Sequence, residues 1–247
     1  MQAVSPALLQ TIKELQQLPS LSAFALAGGT NLALRFNHRE SEDIDLFSTD
    51  IIGIEGFEKI ASEVMTFYGK NVSNIIYPVK ENDQFVNIRF YIAKTNVTIK
   101  VDVIQNMKSL YDFEMIKSVR CYDVKDIGLF KLVSCASRLS KKDIYDLEYI
   151  TDSEDLIDLY NLLKTKKEKF NKDIDRNIFD LDNDPDPLDD PHLLLIFDKR
   201  MATKQKMTHT HDNILNIEGS KSWRMASMYW RMKVRRLYKT LNIEYPL

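Results

Sequence analysis

The spacing of apolar residues changes near residue 124 and divides the chain into two regions. In the first region, short apolar or alternating segments predict five strands, at residues 23–27, 43–47, 72–79, 85–92 and 97–104. Helical spacing in the same region predicts helices over residues 8–15, 31–36 and 54–68. In the second region the spacing is helical, with predicted helices at residues 127–133, 144–150 and 156–163. We therefore predict an α+β fold: a small mixed β-sheet core with helices, followed by a helical C-terminal domain.

The expected domain boundaries follow this change of pattern. The mixed sheet and its helices form a core over residues 1–124, and the helical domain covers residues 125–247. Within the helical domain, the acidic segment 171–191 contains three prolines and predicts a linker or an irregular loop. A final helical segment is predicted from His192 to the C-terminus, with a break near residues 216–220.

The composition fits a soluble intracellular enzyme. The 247 residues provide ample material for a core, and 34 basic against 36 acidic residues give a net charge of −2. This balance gives no global attraction to nucleic acid, so any RNA contact must be a local patch. Cys121 and Cys135 are too few for a disulfide framework or a zinc site. The chain opens without a signal pattern and has no apolar run of membrane-spanning length, so we expect a cytoplasmic protein with no membrane partner.

A glycine turn follows the first predicted strand. Gly28 and Gly29 can adopt positive φ and leave the backbone open to close approach. Thr30 is expected to cap the helix that continues from Asn31 to Phe36. The N-terminus of a helix favours phosphate, because its first backbone N–H groups are free.

Three aspartates predict a metal site next to this turn. Asp43 and Asp45 are two residues apart in an apolar run, which on a strand puts both carboxylates on one face. Asp102 lies between Val101 and Val103 in the last predicted strand, which a short Thr-Asn connection joins to the preceding strand as a hairpin. A carboxylate among buried β-branched residues calls for a cation to offset its desolvation. Mg²⁺ prefers oxygen ligands and bridges to substrate phosphates.

Two groups of motifs resemble a known family. The first group comprises the Gly-Gly-Thr turn, Asp102 and the run His38-Arg39-x-Ser41-x-Asp43-Ile44-Asp45-Leu46-Phe47. The second comprises Asp126-Ile127, Lys131-Leu132, Arg138 and Lys142-Asp143-Ile144-Tyr145-Asp146-Leu147. Together they resemble the nucleotidyltransferase superfamily and, more narrowly, the AbiEii/AbiGii toxin family, over residues 24–150. The turn is Gly-Gly-Thr where the wider superfamily has Gly-Ser, and the Thr30 hydroxyl is the candidate to replace that of serine.

The resemblance implies an enzyme that moves an NMP from an NTP to an acceptor with the help of Mg²⁺ or Mn²⁺. It implies an RNA acceptor, the 3′ end of tRNA, and a toxin of a toxin–antitoxin or abortive-infection system with a cognate antitoxin as partner. Residues 1–124 would form the nucleotidyltransferase core. The residues it assigns to catalysis and to the metal ion are Asp43, Asp45 and Asp102. The residues it assigns to the nucleotide are Gly28, Gly29, Thr30, Arg39, Lys131, Arg138 and Asp143.

Several nucleotide-binding assignments have an alternative. Arg39 either contacts a phosphate or pairs with a nearby acidic residue. Lys131 and Arg138 are seven residues apart, so they are expected on one helix face, either near the triphosphate or facing solvent. Asp143 either orients Lys131 or a metal-bound water, or caps the helix that begins there.

The acceptor has alternatives too. Residues 221–240 carry seven basic residues and no acidic one, interleaved with Trp223, Tyr229, Trp230 and Tyr238. We expect the basic side chains to favour RNA and the aromatic ones to enter the core. A small molecule, as in antibiotic modification, or a protein side chain would be a different acceptor. A noncatalytic binding protein on the same fold is a further alternative, which the three aspartates disfavour.

Overall fold

The computed structural model describes residues 2–80, 82–138, 140–181, 185–197 and 213–246. Its strands are β1 (Ala25–Leu26), β2 (Ile44–Phe47), β3 (Val72–Val79), β4 (Asn87–Lys94), β5 (Val97–Ile104), β6 (Glu114–Ile116) and β7 (Val119–Cys121). They form one mixed sheet in the order β3-β4-β5-β2-β1-β7-β6. The α+β fold class is confirmed.

The helices cover the sheet and build the second half of the chain. They are α1 (Pro6–Gln17), α2 (Gly28–Phe36), α3 (Gly53–Tyr68), α4 (Val124–Ser137), α5 (Lys141–Ile150), α6 (Leu156–Lys169) and α7 (Trp223–Thr240). Short 3₁₀ turns lie at Pro19–Leu21, Gly69–Asn71, Asp173–Asp175, Ile178–Asp180 and Pro191–Leu195. Among the described residues, no helix combines the length and the apolar character needed to cross a bilayer.

The centre of the sheet brings distant parts of the chain together. β4 and β5 form the predicted antiparallel hairpin, and β5 pairs with β2 in parallel. β1 is antiparallel to β2 and parallel to β7. β2, which carries Asp45 and directly follows Asp43, therefore lies next to β5, which carries Asp102.

One face of the central strands is buried in the main core. Ile44 and Leu46 of β2 and Val101 and Val103 of β5 are fully buried there, together with apolar residues of α1 and α3. Because side chains alternate along a strand, Asp45 and its neighbours on β5 face the other side.

A second core lies on that other side. Phe47 and Ile104, near the ends of β2 and β5, pack with Tyr122, Leu132 and Trp230, among other residues of α4 to α7. The aspartates two residues before Phe47 and Ile104 therefore share a face of the sheet with this second core. The sheet supplies the carboxylates, and the helical half of the chain packs beside them.

Most of the predicted elements exist, two short strands were missed, and three expectations were wrong. β6 and β7 were not predicted, because strands of three residues are too short to show a period. Thr30 does not cap α2: the helix begins at Gly28 with Ala27 as its N-cap residue. Arg138 does not continue α4, since it is the extended C-cap residue of that helix.

The third wrong expectation concerns the C-terminal segment. Instead of a helix from His192, the chain forms a 3₁₀ turn at Pro191–Leu195, and α7 begins only at Trp223. The Ser222 side chain accepts a hydrogen bond from a backbone N–H in the first turn of α7, which explains this start. Residues 198–212 of the predicted segment lie outside the described residues. Trp230 of α7 is fully buried, as expected for its aromatic residues.

Candidate active site

The glycine turn brings the start of α2 against a carboxylate of β2. Gly28 has φ +61°, and a Cβ added there would lie 1.8 Å from Oδ2 of Asp45. Glycine is required here on both counts, since a side chain would be strained at this φ and would collide with the carboxylate. The first N–H groups of an α-helix have no acceptor within the helix. The turn thus combines a helix N-terminus, which attracts phosphate, with a carboxylate, which attracts cations.

Asp45 faces Asp102 across the parallel pair of β2 and β5, where the two residues are register partners. Asp102 is buried, whereas Asp43, just before β2, is exposed. Burial, then the charge of Asp102 and to a lesser degree that of Asp43, raise the pKa of Asp45 from 3.8 to about 6, although Lys100 opposes the rise. The three carboxylates are therefore close enough to repel one another.

Two cations balance these carboxylates. Lys100 Nζ lies 3.3 Å from Oδ2 of Asp43 and 3.4 Å from Oδ2 of Asp102. Arg89 of the neighbouring strand β4 donates from Nε to Oδ1 of Asp102 over 2.6 Å. Both oxygens of Asp102 thus have a basic partner.

A second, buried ionic cluster lies against the other glycine of the turn. A Cβ added at Gly29 would lie 2.2 Å from Nη2 of Arg39. The Arg39 guanidinium donates to both oxygens of Asp146 in α5, from Nε over 2.7 Å and from Nη2 over 2.8 Å. Lys131 of α4 also contacts Asp146, with Nζ 2.8 Å from Oδ2.

Asp143, one turn before Asp146 in α5, joins the same cluster. Lys131 donates to its Oδ1 over 2.6 Å, and Arg138 donates from Nε to Oδ2 over 2.7 Å and from Nη2 to Oδ1 over 3.0 Å. Both aspartates are fully buried. We call the set Arg39, Lys131, Arg138, Asp143 and Asp146 the buried network.

The charges of the buried network stabilise one another. Burial alone would raise the pKa of Asp146, but Arg39 and Lys131 hold that pKa well below its ordinary value. Burial likewise opposes ionisation of Asp143, and Lys131 and Arg138 lower the pKa of this carboxyl below its ordinary value. The pKa of Lys131 is raised, because Asp143 and Asp146 outweigh the effect of its burial. All five groups are charged at neutral pH, and three cations face two anions.

His38 supports the network from one side. Its Nε2 lies 2.8 Å from Oδ1 of Asp146, and its ring stacks on Tyr145 at 5.6 Å between centroids. Burial lowers the pKa of His38 below 6.5 despite the nearby Asp146 carboxylate, so the ring is neutral and donates from Nε2. Among the described residues, Nδ1 of His38 has no hydrogen-bond partner.

Comparison with known proteins assigns this arrangement to a family. The sequence model of the family described as "Nucleotidyl transferase AbiEii toxin, Type IV TA system" matches residues 11–223. The chain belongs to the AbiEii nucleotidyltransferase toxin family. It is therefore a nucleotidyltransferase toxin of a type IV toxin–antitoxin system, and the family implies an NTP substrate and a cognate antitoxin.

Two individual proteins are similar to this AbiEii toxin. An uncharacterized protein of Aquifex aeolicus (strain VF5) is 27% identical over 159 residues, which are 64% of this chain and 72% of that protein. Among solved structures, MenT4, a nucleotidyltransferase toxin from Mycobacterium tuberculosis H37Rv, matches with a TM-score of 0.48 and 14% identity. The match covers 97% of this chain and 85% of the MenT4 chain.

The sequence-predicted residues of the AbiEii toxin fall into two groups. Asp45 and Asp102 share one face of the sheet next to Gly28, and Lys100 links Asp102 to Asp43, which lies just before β2. Gly29, Arg39, Lys131, Arg138 and Asp143 meet in or against the buried network. The two groups are electrostatically linked, because the charge of Lys131 lowers the pKa of Asp45 and the charge of Asp45 raises that of Arg138.

These contacts bear on three of the open alternatives. Arg39 pairs with an acidic residue, Asp146, and is almost completely buried. Lys131 and Arg138 do not share a helix face but converge on Asp143 from α4 and from the end of that helix. Asp143 orients Lys131 and does not cap α5, whose N-cap residue is Ser140.

The predicted role of Thr30 changes as well. Its Oγ1 donates to the backbone oxygen of Asp43 and lies 2.7 Å from Oγ of Ser41. The hydroxyl thus holds the segment that leads into β2. The backbone N–H of Thr30 lies in the first turn of α2, where N–H groups have no acceptor within the helix.

Several residues of the site had no role assigned from sequence. Lys100 stands two residues before Asp102 on the same strand, so the period of two was a signal for its position. Arg89 required knowledge of the hairpin register. His38 and Asp146 belong to the two groups of motifs that resemble the family. They are 108 positions apart in the chain, and only the tertiary structure shows that they are in contact.

The carboxylates of the AbiEii toxin have the donor chemistry for a divalent cation. Asp45 and Asp102 are paired across adjacent strands, and the raised pKa of Asp45 reports negative charge that a cation would relieve. Within the described part of the chain, no group of three or more His, Cys, Asp or Glu side chains is already arranged around a single metal position. Lys100 lies between Asp43 and Asp102 instead. The residue types fit a divalent cation, and the Lys100 ammonium group contacts two of the three carboxylates.

Proposed function

We propose that this toxin transfers an NMP from an NTP to the 3′ end of tRNA in a reaction that depends on Mg²⁺ or Mn²⁺. The observation that carries the proposal is the pairing of Asp45 with Asp102 against Gly28, at the N-terminus of α2. Carboxylates that neutralise a metal and a helix end that receives phosphates are the two requirements of phosphoryl transfer. The division into a nucleotidyltransferase core, residues 1–124, and a helical domain, residues 125–247, is part of the same proposal.

The helix end and the buried network would bind the triphosphate. The backbone N–H groups of Gly28, Gly29 and Thr30 stand at the positive end of the α2 dipole. The buried network has one more positive than negative charge, and its Arg138 side chain is 43% exposed. Arg138 is therefore the member of the network best placed to donate to a phosphate. The buried Lys131 would add positive charge from within the network. Arg39 supports the turn beneath Gly29 rather than contacting the nucleotide.

Asp43, Asp45 and Asp102 would hold the divalent cation. When bound, the cation would neutralise the phosphate charge and favour departure of pyrophosphate. Asp102 would also orient the acceptor hydroxyl and accept its proton as the oxygen attacks the α-phosphorus. Asp45 has to be ionised to contribute as a ligand, which its pKa of about 6 permits at neutral pH.

An RNA acceptor is supported by the family resemblance and by the charge of α7. Part of that charge is used within the protein: Lys233 of α7 pairs with Glu148, as does Lys221 just before the helix, and Arg236 lies 2.7 Å from Asp155. Arg235 and Lys239 are exposed and supply positive charge on the surface of α7. Phosphate contacts of this kind would make acceptor binding salt-dependent.

A transfer assay tests the proposal. The wild type and Asp45→Asn would be incubated with each α-labelled NTP, Mg²⁺ and total bacterial tRNA. Label in tRNA with the wild type alone is expected, and it would also identify the base. Label on a small molecule or on the protein itself would refute the tRNA acceptor while leaving the transferase chemistry intact. No transfer to any of these acceptors would refute the proposed reaction.

A charge-reversal pair separates an RNA acceptor from a small one. Arg235→Glu with Lys239→Glu is expected to weaken tRNA binding and to flatten its dependence on salt concentration. Lys80→Glu, an exposed change outside α7, is the matched control. Unchanged tRNA binding by the α7 variant would exclude this surface as the RNA site.

A further inference from the structure

Lys100 holds a central position among the proposed metal ligands. Its Nζ lies 3.3 Å from a carboxylate oxygen of Asp43 and 3.4 Å from one of Asp102. A cation between two carboxylates is the arrangement that a bound metal would create. The side chain is 31% exposed, so the ammonium group borders on solvent.

Arg89 completes the balance of charge. It contacts the other oxygen of Asp102, with Nε 2.6 Å from Oδ1. The three aspartates of the site thus face two side-chain cations before any ligand binds. Of the two, Lys100 alone contacts two of the aspartates, and a lysine chain is flexible enough to turn away.

We propose that Lys100 is an internal counter-ion that occupies the cation position of the carboxylate site and leaves it when a divalent cation binds. The inference rests on the proposed function, because it takes Asp43, Asp45 and Asp102 as the metal ligands. Lys100 is then a positioning residue: it keeps the ligand-free carboxylates together and competes with the metal for them.

The competition has a predictable direction. A divalent cation and an ammonium group repel each other, so binding of the metal requires Lys100 to give up its contacts with Asp43 and Asp102. Replacing Lys100 by a neutral residue removes that requirement and leaves the carboxylates less compensated. The repulsion between a divalent and a monovalent cation at about 4 Å in water corresponds to roughly a thirtyfold change in affinity, and Lys100 avoids part of it by turning away. The neutral variant is expected to bind the metal about tenfold more tightly.

Binding of Mn²⁺ alone, without nucleotide, tests this role directly. The signal of free Mn²⁺ in electron paramagnetic resonance would be titrated with wild type, Lys100→Met, Lys100→Gln and Lys100→Arg. Both neutral variants are expected to bind Mn²⁺ more tightly than the wild type, and Lys100→Arg, which keeps the charge, is expected to bind it no more tightly. Lys80→Met, which removes an exposed lysine paired with Glu58 elsewhere, is the matched control and should leave the affinity unchanged.

The rise in unfolding temperature on addition of Mn²⁺ gives a second readout, which a merely structural lysine would not change. Without metal, Lys100→Met should unfold at a lower temperature than the wild type, because its carboxylates repel one another. Added Mn²⁺ should raise the unfolding temperature of the variant by more than that of the wild type, since a tighter ligand stabilises more. An equal Mn²⁺-dependent rise in both proteins would contradict the inference.

The Asp45→Asn variant distinguishes failure of the inference about Lys100 from failure of the proposed metal site. If this variant loses Mn²⁺ binding while Lys100→Met and Lys100→Gln show no gain, the carboxylate site stands and the role of Lys100 is refuted. If Asp45→Asn binds Mn²⁺ like the wild type, or if no protein binds it, the metal site of the proposed function is refuted together with the inference.

Discussion

Asp45→Asn is expected to stabilise the folded protein at pH 8, although Asp45 is a proposed metal ligand. Burial and the charge of Asp102 raise the pKa of Asp45 from 3.8 to about 6 in the folded chain. Above pH 6 the ionised carboxylate is therefore less favourable in the folded protein than in the unfolded one. Asparagine has nearly the same shape and no charge, so it removes this penalty.

The size of the effect follows from the pKa difference. One pKa unit corresponds to about 1.4 kcal/mol, so a rise from 3.8 to about 6 gives a penalty of about 3 kcal/mol at pH 8. Because the folded-state pKa is the higher one, the penalty is complete above it and disappears as the pH falls below the unfolded value. At pH 5 about half of the gain should remain. Movement of Lys100 toward the ionised carboxylate reduces the penalty, so we expect a gain of about 1–3 kcal/mol at pH 8.

Urea unfolding at pH 8, 6 and 5 without divalent cations measures this gain as the difference in free energy of unfolding. Asp43→Asn is the matched control: it makes the same chemical change at an exposed carboxylate that pairs with Lys100. The control should be neutral or destabilising by less than about 1 kcal/mol at each pH. An Asp45→Asn protein no more stable than the wild type at pH 8, or a gain that does not shrink in acid, would refute the reasoning.

Three further predictions concern buried residues of the protein. Asp146→Asn should lower the free energy of unfolding at pH 7 by about 3–5 kcal/mol, because it leaves Arg39 without its buried counter-ion. Since the folded-state pKa of Asp146 lies well below 3.8, the difference between the two proteins should shrink only as the pH falls below about 4, which acid unfolding would check. Gly29→Ala places a Cβ 2.2 Å from the Arg39 guanidinium, so the free energy of unfolding in urea should fall by about 1–3 kcal/mol. An unchanged free energy of unfolding would contradict this and would show that the guanidinium shifts freely. Burial raises the pKa of the Cys121 thiol to about 12 and also raises the pKa of the Cys135 thiol. A thiol reagent at pH 8 should therefore label both cysteines only after the protein is unfolded. Labelling of the native protein would contradict their burial.

The carboxylate half of the site was predictable because short periods in the sequence determine it. Residues two apart on a strand share a face, which put Asp43 with Asp45, and the hairpin pattern placed Asp102 on a strand. The pairing of β2 with β5 then brings Asp45 opposite Asp102. The requirement for glycine at position 28 agrees with the predicted turn, although the reason, the nearby carboxylate of Asp45, appears only in the structure.

The buried network was less predictable because long-range packing determines it. Arg39 and Asp146 are 107 positions apart, and no periodicity indicates that they meet. The sequence left open whether Arg39 pairs with an acid or with phosphate, since either partner satisfies a guanidinium. The position of Arg138 also depends on where α4 ends. Arg138 has an extended conformation directly after this helix, and its side chain can therefore reach Asp143 beside Lys131.

The two ionic groups of the site differ in how completely their charges are balanced, and this difference indicates where a ligand binds. Asp143 and Asp146 have lowered pKa values because buried cations surround them, so a further cation would gain little there. Asp45 has a raised pKa because burial and the charges of Asp102 and Asp43 disfavour its ionised form, and Lys100 and Lys131 offset this only in part. A divalent cation that replaced Lys100 would convert this unfavourable energy into binding energy. The incomplete balance around Asp45 therefore lowers the stability of the ligand-free protein, and the same imbalance favours metal binding at the proposed active site.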